Sequence, residues 1–255
     1  MPNMETTETQ AHDAFTLVKL GAIRQVLDDH HIRIIGNKLT DDTLITIWQG
    51  AKVEPHTRFF HQRALCSMGS FSYTHGRVFN GLSIGRYCSI ASNIRLFGAT
   101  HYTDWIGTSS LFYDRKFTDS DLPLRFADRA RNRTIIGNDV WIGSDVALAR
   151  NIRIGDGAVI ATGSVVLRDV PPFAVVAGIP AKVKKLRFSE QVIERIQRLA
   201  WWDYHIDSFK GCEPSKPEHF LNKLEQTIAD GNRAIQKYRP QALLANDLIK
   251  LDKSM

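Results

Sequence analysis

Apolar residues recur at every sixth position in two separate parts of the chain. In the longer part, the first position of each hexad is aliphatic in all six cases, and the second is Gly or Ala in five of them. The six aliphatic residues are Ile136, Ile142, Leu148, Ile154, Ile160 and Val166. A shorter part upstream repeats the pattern at Val78, Ile84, Ile90 and Leu96. Neither an amphipathic helix nor an alternating strand has a period of six.

This period predicts a parallel β-solenoid in which each hexad forms one short strand and one turn. The aliphatic residue points inward onto its equivalent in the next coil, and the small second residue relieves crowding at the turn. The repeat is interrupted over residues 102–134. A long insertion in a solenoid projects from the coils, and projecting loops often carry function.

The flanking segments predict other structure. Residues 13–29 have a helical apolar stripe at Leu17, Leu20, Ile23 and Leu27, and residues 43–48 favour a strand. Ser189 can cap one helix and Pro217 can open another. We therefore divide the chain into an α/β extension (1–64), the solenoid with its inserted loop (65–182) and a C-terminal helical region (183–255).

Composition narrows the function classes further. The chain has 255 residues, 43% hydrophobic and 24% charged, which is typical of a globular protein. It has no apolar stretch long enough to span a membrane, and its polar N-terminus does not resemble a signal peptide, so we expect a cytoplasmic protein. Three scattered cysteines give no metal-binding spacing. The net charge of +6 is compatible with an anionic ligand, but no nucleic-acid-binding motif accompanies it.

Three motifs beside the hexads carry a resemblance to a known family. They are Asn-Asp-Val-Trp-Ile-Gly at 138–143, Gly-Ile-Pro-Ala-Lys at 178–182 and Trp-Trp-Asp at 201–203. Together they are similar to the hexapeptide acyltransferases and, more narrowly, to the xenobiotic acetyltransferases. That branch includes streptogramin and hexapeptide-type chloramphenicol acetyltransferases. The resemblance covers about residues 65–207.

The resemblance implies a mainly β fold, a left-handed parallel β-helix with a protruding loop. It also implies a homotrimer whose active sites lie between subunits, with acetyl-CoA as co-substrate and no metal. The handedness comes from the resemblance alone, because right-handed crossovers are otherwise the rule.

The family's catalytic residue is a histidine just before or within the insertion, which corresponds to His101. The chemistry asks for such a group, because an attacking hydroxyl must lose its proton and a neutral imidazole can accept it near pH 7. The competing interpretation is a polar residue at a loop entrance. His61 and His75 are rival candidates outside the motif. Asp104 is near His101 in the chain, but the sequence assigns no acidic partner to His101.

The resemblance also implies a set of residues for acetyl-CoA. They are Trp141, Gly143, Ser144, Ala161, Thr162, Arg168 and Lys182. Each group also has a second interpretation. The geometry of the turns explains the small residues equally well. The cations fit a solvated basic face, and the Trp fits packing in a trimer. From their position alone, Tyr102 and Trp105 are candidates for an acceptor wall, since aromatic faces stack on sugars and drug rings.

These observations favour an acetyl-CoA-dependent O-acetyltransferase that acts on a hydroxyl of a saccharide, such as a surface polysaccharide or its precursor. The extra terminal segments, absent from antibiotic-modifying relatives, weigh toward a larger acceptor. Three alternatives stay open. They are antibiotic O-acetylation, N-acylation of a sugar, and a solenoid that binds without catalysing.

Overall fold

The computed structural model describes residues 15–97, 101–112, 133–230 and 236–253. The described chain is mainly β, with twenty short strands and four α-helices. The strands are β1 Phe15–Lys19, β2 Arg33–Ile35, β3 Leu44–Trp48, β4 Lys52–Val53, β5 Arg58–Phe60, β6 Ala64–Leu65, β7 Ser67–Met68, β8 Tyr73–Thr74, β9 Leu82–Ile84, β10 Ser89–Ile90, β11 Arg95–Leu96, β12 Thr134–Ile136, β13 Trp141–Ile142, β14 Ala147–Leu148, β15 Arg153–Ile154, β16 Val159–Ile160, β17 Val165–Val166, β18 Ala174–Gly178, β19 Ala181–Leu186 and β20 Leu243–Leu244. The helices are α1 Leu20–Asp29, α2 Glu190–Leu199, α3 Pro217–Ala229 and α4 Ala245–Lys253.

Successive strands rotate among the walls of a parallel β-solenoid, as the hexads predict. One wall is the eight-stranded sheet β19-β18-β16-β13-β10-β8-β5-β2, and a second is the six-stranded sheet β15-β12-β9-β7-β4-β20. The third wall consists of the two three-stranded sheets β11-β14-β17 and β1-β3-β6. Ile90, Ile142, Ile160 and Val176 stand in register on neighbouring coils and are all buried. The core is therefore a stack of aliphatic side chains along the coil axis.

The parallel coils begin before residue 65. Strands β2 and β5, β3 and β6, and β4 and β7 already pair in parallel. The hexad pattern does not reveal these first coils, because large residues occupy their turns. Phe60 and His75 stand where later coils carry Gly or Ala, and Phe59 fills the interior.

The N-terminal helix is shorter than the apolar stripe predicted. Residues Phe15–Lys19 form β1, which pairs antiparallel with β3. Leu17 therefore points outward and is 47% exposed, whereas Leu20, Ile23 and Leu27 are buried on α1 as predicted. An alternating strand that buries Val18 against β3 outcompetes one further helical turn here. The predicted strand at 43–48 is confirmed as β3.

The C-terminal helices begin where the sequence predicts. The Ser189 side chain accepts a hydrogen bond from the Val192 backbone N–H at the start of α2, and α3 opens with Pro217. Within the described residues, no helix is long and apolar enough to cross a membrane. Of the predicted loop, residues 113–132 lie outside the described residues, and β12 already begins at Thr134.

Each coil passes from the six-stranded to the eight-stranded sheet at one edge of the solenoid. This edge carries a column of residues with positive φ. The column is His56, Phe71, Tyr87, Asp139, Gly157 and Phe173, and we call it the covered edge. Its rings stack at about one coil spacing, with centroids 5.2 Å apart for His56–Phe71 and 5.0 Å for Phe71–Tyr87. Trp201 packs on Tyr87 at 4.7 Å.

Ion pairs fasten the C-terminal region to this covered edge. The Arg86 guanidinium donates to both carboxylate oxygens of Glu54 at 2.7 and 2.8 Å and to Asp203 at 3.1 Å. Arg187 donates to Asp139 at 2.9 Å. Burial raises the pKa of Asp139, although the Arg187 guanidinium opposes that shift. The Trp-Trp-Asp motif thus has a structural role here, since it clamps the tail to the coils.

Candidate functional site

The opposite end of the eight-stranded sheet's strands carries a different column. It consists of Phe60, His75, Ala91, Gly143, Ala161 and Ala177, and we call it the open edge. Each of three N–H groups donates to the next coil: Ala91 to the Ile142 carbonyl and Gly143 to the Ile160 carbonyl, both at 2.9 Å, and Ala161 to the Val176 carbonyl at 3.0 Å. The predicted residues Gly143 and Ala161 are therefore direct neighbours, as are Ser144 and Thr162 beside them.

Steric crowding explains the glycine in this column. A Cβ atom at Gly143 would lie 2.7 Å from the Thr162 nitrogen and 2.6 Å from its Oγ1, closer than real Cβ contacts allow. The side chain of Ser144 is half-buried and that of Thr162 is exposed. From Ala91 to Ala177 the open edge is consequently a lane of small residues, about 14 Å long at one coil spacing per step.

Larger groups bound the lane at both ends. Toward the N-terminal coils, the Phe60 and His75 rings stack with centroids 4.1 Å apart. Toward the C-terminal end, β18 turns back into β19, which puts Lys182 in register with Ala177. Lys182, Lys184 and Lys185 are exposed. The predicted cation Lys182 thus lies at one end of the lane and an aromatic pair at the other.

Two further predicted residues differ in their placement. Trp141 lies on β13 immediately before the lane, and its side chain is 57% exposed on the outer face. Arg168 follows β17, on a third edge of the coil from which the insertion also departs after β11. The structure therefore groups Trp141 with the lane and separates Arg168 from it.

His101 lies on the inserted loop and has one nitrogen committed to the backbone. Its Nδ1 is 2.6 Å from the Thr108 carbonyl oxygen. A carbonyl can only accept, so Nδ1 carries the proton and donates it. In the neutral ring, Nε2 then has the lone pair, which is the form that a general base requires. The backbone partner at Thr108 could not be found from sequence, because it depends on the fold of the loop.

The two candidates for an acceptor wall contact each other. The Tyr102 and Trp105 rings are parallel within 8° and their centroids lie 4.4 Å apart. Both side chains are half-buried. The two rings therefore form one stacked pair, which begins at the residue that follows His101 in the chain.

The rival histidines belong to the solenoid instead. His61 and His75 have ring centroids 6.4 Å apart at the N-terminal end of the lane. Beside them, Phe60 and Tyr73 are ring-bearing residues that the sequence analysis did not single out. A departure from Gly or Ala in the second hexad column is the signal that could have found Phe60.

The cysteines and the possible metal ligands were also compared with the requirements of their chemistry. Burial raises the pKa of the Cys66 and Cys88 thiols to about 12, which disfavours the thiolate form that a nucleophile requires. Among the described residues, no group of three or more His, Cys, Asp or Glu side chains is arranged to hold a metal ion.

Comparison with known proteins agrees with this geometry. Residues 133–168 match a family model described as bacterial transferase hexapeptide (six repeats). The chain is 34% identical over 162 residues to a chloramphenicol acetyltransferase from Morganella morganii, covering 62% of this chain and 77% of that protein. It is 40% identical over 129 residues to a probable macrolide acetyltransferase from Lysinibacillus sphaericus, covering 48% and 69%.

Among solved structures, a hexapeptide-repeat acetyltransferase from Vibrio cholerae O1 in complex with acetyl coenzyme A is 22% identical. That match covers 66% of this chain and 78% of the other, with a TM-score of 0.38. The family assignment depends on the curated relatives, whose similarity extends over most of their own length. The chain therefore belongs to the hexapeptide-repeat acyltransferases of the xenobiotic acetyltransferase family, the streptogramin and chloramphenicol acetyltransferase-like enzymes, and is a CoA-dependent acyltransferase.

Proposed function

We propose that this enzyme transfers the acetyl group of acetyl-CoA to a saccharide hydroxyl, with His101 as the general base. The observation that carries the proposal is the lane of small residues on the open edge, in a chain that belongs to an acetyltransferase family. A narrow, amide-rich pantetheine arm needs such a surface, because side chains larger than Ala would block its approach to the coils.

The two ends of the lane give the arm a direction. Lys182, at the C-terminal end, suits the phosphate groups of CoA, since ammonium groups bind phosphate as compact charges. The thioester then lies toward Ala91 and His75. Arg168 lies on another edge, so on this arrangement it does not contact the same cofactor in its own subunit.

The transfer requires one proton to move twice. His101 Nε2 removes the proton of the acceptor hydroxyl, and the oxygen forms a bond to the thioester carbonyl carbon. The carbon–sulfur bond then breaks, and the departing CoA thiolate takes the proton from the imidazolium. Donation from Nδ1 to the Thr108 carbonyl at 2.6 Å holds the ring in the required tautomer and stabilises its charged form.

The assembly belongs to the proposal as well. The family resemblance supports left-handed coils and a homotrimer, with each active site between two subunits. In that arrangement, His101 on the inserted loop of one copy serves the lane of the next. Tyr102 and Trp105 then form a wall for the acceptor.

A drug hydroxyl is the second candidate acceptor. It is favoured by the similarity to a chloramphenicol acetyltransferase, which extends over 77% of that protein. The saccharide is preferred because the coils upstream of β7, starting at β2, lengthen the stack on the acceptor side of the lane.

Thiol release from acetyl-CoA tests the proposal. The wild type and His101→Ala are assayed with chloramphenicol, a streptogramin A and surface-sugar acceptors. We expect release with sugars and at least a hundredfold lower kcat in the variant, because a general base contributes about 10²- to 10⁴-fold. The KM for acetyl-CoA should change little. Unchanged turnover in His101→Ala contradicts the role of the base, and release with drugs alone selects the second candidate.

A further inference from the structure

The first coils have an unusual charge pattern. Residues 55–103 contain five arginines and four histidines, and no Asp, Glu or Lys. Such a stretch produces a positive potential that favours anionic ligands. Within the described parts of the chain, Arg86 is the one of the five that pairs with carboxylates, those of Glu54 and Asp203.

Two of the remaining arginines flank the end of the lane. Arg58 stands in register with Tyr73 on the outer face of the eight-stranded sheet. Arg77 follows His75 by two residues in the turn of the open edge. Both side chains are exposed, and neither makes an ion pair with a described acidic residue. Arg24, Arg33 and Arg195, by contrast, each bind a carboxylate.

Aromatic rings lie between these charges. Tyr73 and His75 meet edge to face with centroids 5.8 Å apart, and Phe60 stacks on His75. Along the same outer row, Ser89 separates Tyr73 from the exposed Trp141. A small residue between two rings leaves a gap of about two coil spacings, near 9.6 Å, in which a sugar ring can lie against aromatic faces.

The cofactor does not account for these charges. If the CoA phosphates lie at Lys182, then Arg58 and Arg77 lie beyond the opposite end of the lane, where the acetyl group is delivered. A cation at that end contacts the acceptor rather than CoA.

We infer that Arg58 and Arg77 select an acceptor saccharide that carries an anionic group, a carboxylate or a phosphate. The sugar lies in the gap between Tyr73 and Trp141, next to the Phe60–His75 pair, and the two guanidinium groups bind its charge. An arginine fork pairs with either anion through two parallel hydrogen bonds. This inference rests on the proposed function and adds the charge of its substrate.

The test measures binding directly, by NMR titration of the full-length protein in the presence of CoA. The probes are methyl α-D-glucopyranoside, methyl α-D-glucuronide and glucose 1-phosphate. We expect at least tenfold tighter binding of an anionic probe than of the neutral one, and the comparison of glucuronide with phosphate identifies the anion. The preference should fall as salt is raised, since screening weakens exposed charge pairs.

Variants then locate the effect. Arg58→Gln and Arg77→Gln should each reduce the preference severalfold, and together they should abolish it. Arg153→Gln is the matched control, because the Arg153 side chain is also exposed and forms no ion pair with a described acidic residue, but it lies on the six-stranded sheet. Thiol release with the neutral sugar, assayed in parallel, reports on the proposed function separately.

Several results would overturn the inference. They are equal or undetectable binding of all three probes, an unchanged preference in the double variant, or a loss in Arg153→Gln as large as in the others. A raised KM for acetyl-CoA in the Arg58 or Arg77 variants would assign these charges to CoA instead. Dissociation of the assembly in those variants would assign them to a contact between subunits.

Discussion

Two edges of the same coils differ in almost every physical respect. The covered edge stacks rings and carries the C-terminal region, whose Trp201 packs on Tyr87, whereas the open edge is lined by Ala and Gly from residue 91 to residue 177. Both edges are built by turns between the same short strands. The size of one residue in each turn therefore distinguishes the two edges. Large rings pack and stabilise the fold at one edge, and small residues leave room for a ligand at the other.

This difference predicts which variants unfold the protein and which impair only its reaction. Changes at the covered edge should lower stability and leave the activity of the folded protein intact. Changes at the open edge should do the reverse. Each prediction below tests one side of that division.

Among the changes to charges, lane residues and caps, Arg86→Met should have the largest effect. The Arg86 side chain is 16% exposed and the Glu54 side chain is 22% exposed, so removing the cation leaves a largely buried carboxylate without its partner. Breaking such a pair costs about 3 kcal/mol. The melting temperature and the denaturant midpoint should both fall, while kcat of the remaining folded protein stays unchanged.

Arg24→Met is the control, because the Arg24–Asp41 pair is exposed and contributes at most about 1 kcal/mol. If both variants lose the same stability, the clamp at the covered edge has no special role.

Ala161→Phe should come next, with an effect on binding. A phenyl ring at this position narrows the lane, so the KM for acetyl-CoA should rise at least tenfold, equivalent to about 1.4 kcal/mol. The melting temperature should change little, because the Ala161 side chain is only half-buried. Steady-state kinetics and calorimetry check the two expectations separately.

Ala149→Phe is the matched control. Ala149 holds the same hexad position and is also half-buried, but it lies in a turn of the third edge, after β14. An equal rise in KM for both variants would show that the lane does not receive the cofactor.

The limits of sequence reasoning follow the same division. The inward aliphatic residues are specified by periodicity, so coils with Ile at 136, 142, 154 and 160 were predicted residue by residue. The coils before residue 65 were not predicted, because residues such as Phe60 replace the small turn residues that define the pattern. Leu17 was assigned to a helix, because only its pairing partner β3 reveals a strand. The roles of Arg86 and Asp203 depend on contacts between residues 117 positions apart, which no local pattern encodes.

Acid should weaken the clamp in a defined direction. Burial alone would raise the pKa of Glu54, but hydrogen bonds from Arg86 and Ser70 outweigh it and hold that pKa below its usual value. A carboxyl with a lowered pKa in the folded state stabilises the protein at pH values above its unfolded pKa. That contribution is lost as the pH falls through the lowered value.

The difference in melting temperature between wild type and Glu54→Gln should therefore be largest above about pH 5 and shrink below about pH 4. A difference that stays constant from pH 7 to pH 3 would mean that Glu54 stabilises the fold by packing and not by charge.

Ser189→Ala should have the smallest effect, about 0.5 kcal/mol, at the low end for an N-cap. The hydrogen bond that it removes is long, at 3.4 Å, and lies at the surface. Helix α2 is held instead by Ile193 and Ile196. Both are buried together with Trp202 and with Phe173 of the covered edge. Ile196→Ala should consequently cost several times more, about 2–4 kcal/mol, through the cavity it leaves. Thermal unfolding of both variants compares them directly. If the cap proves as important as the buried isoleucine, the C-terminal region is stabilised by its own helix and not by docking on the coils, and the two edges differ less than their residues indicate.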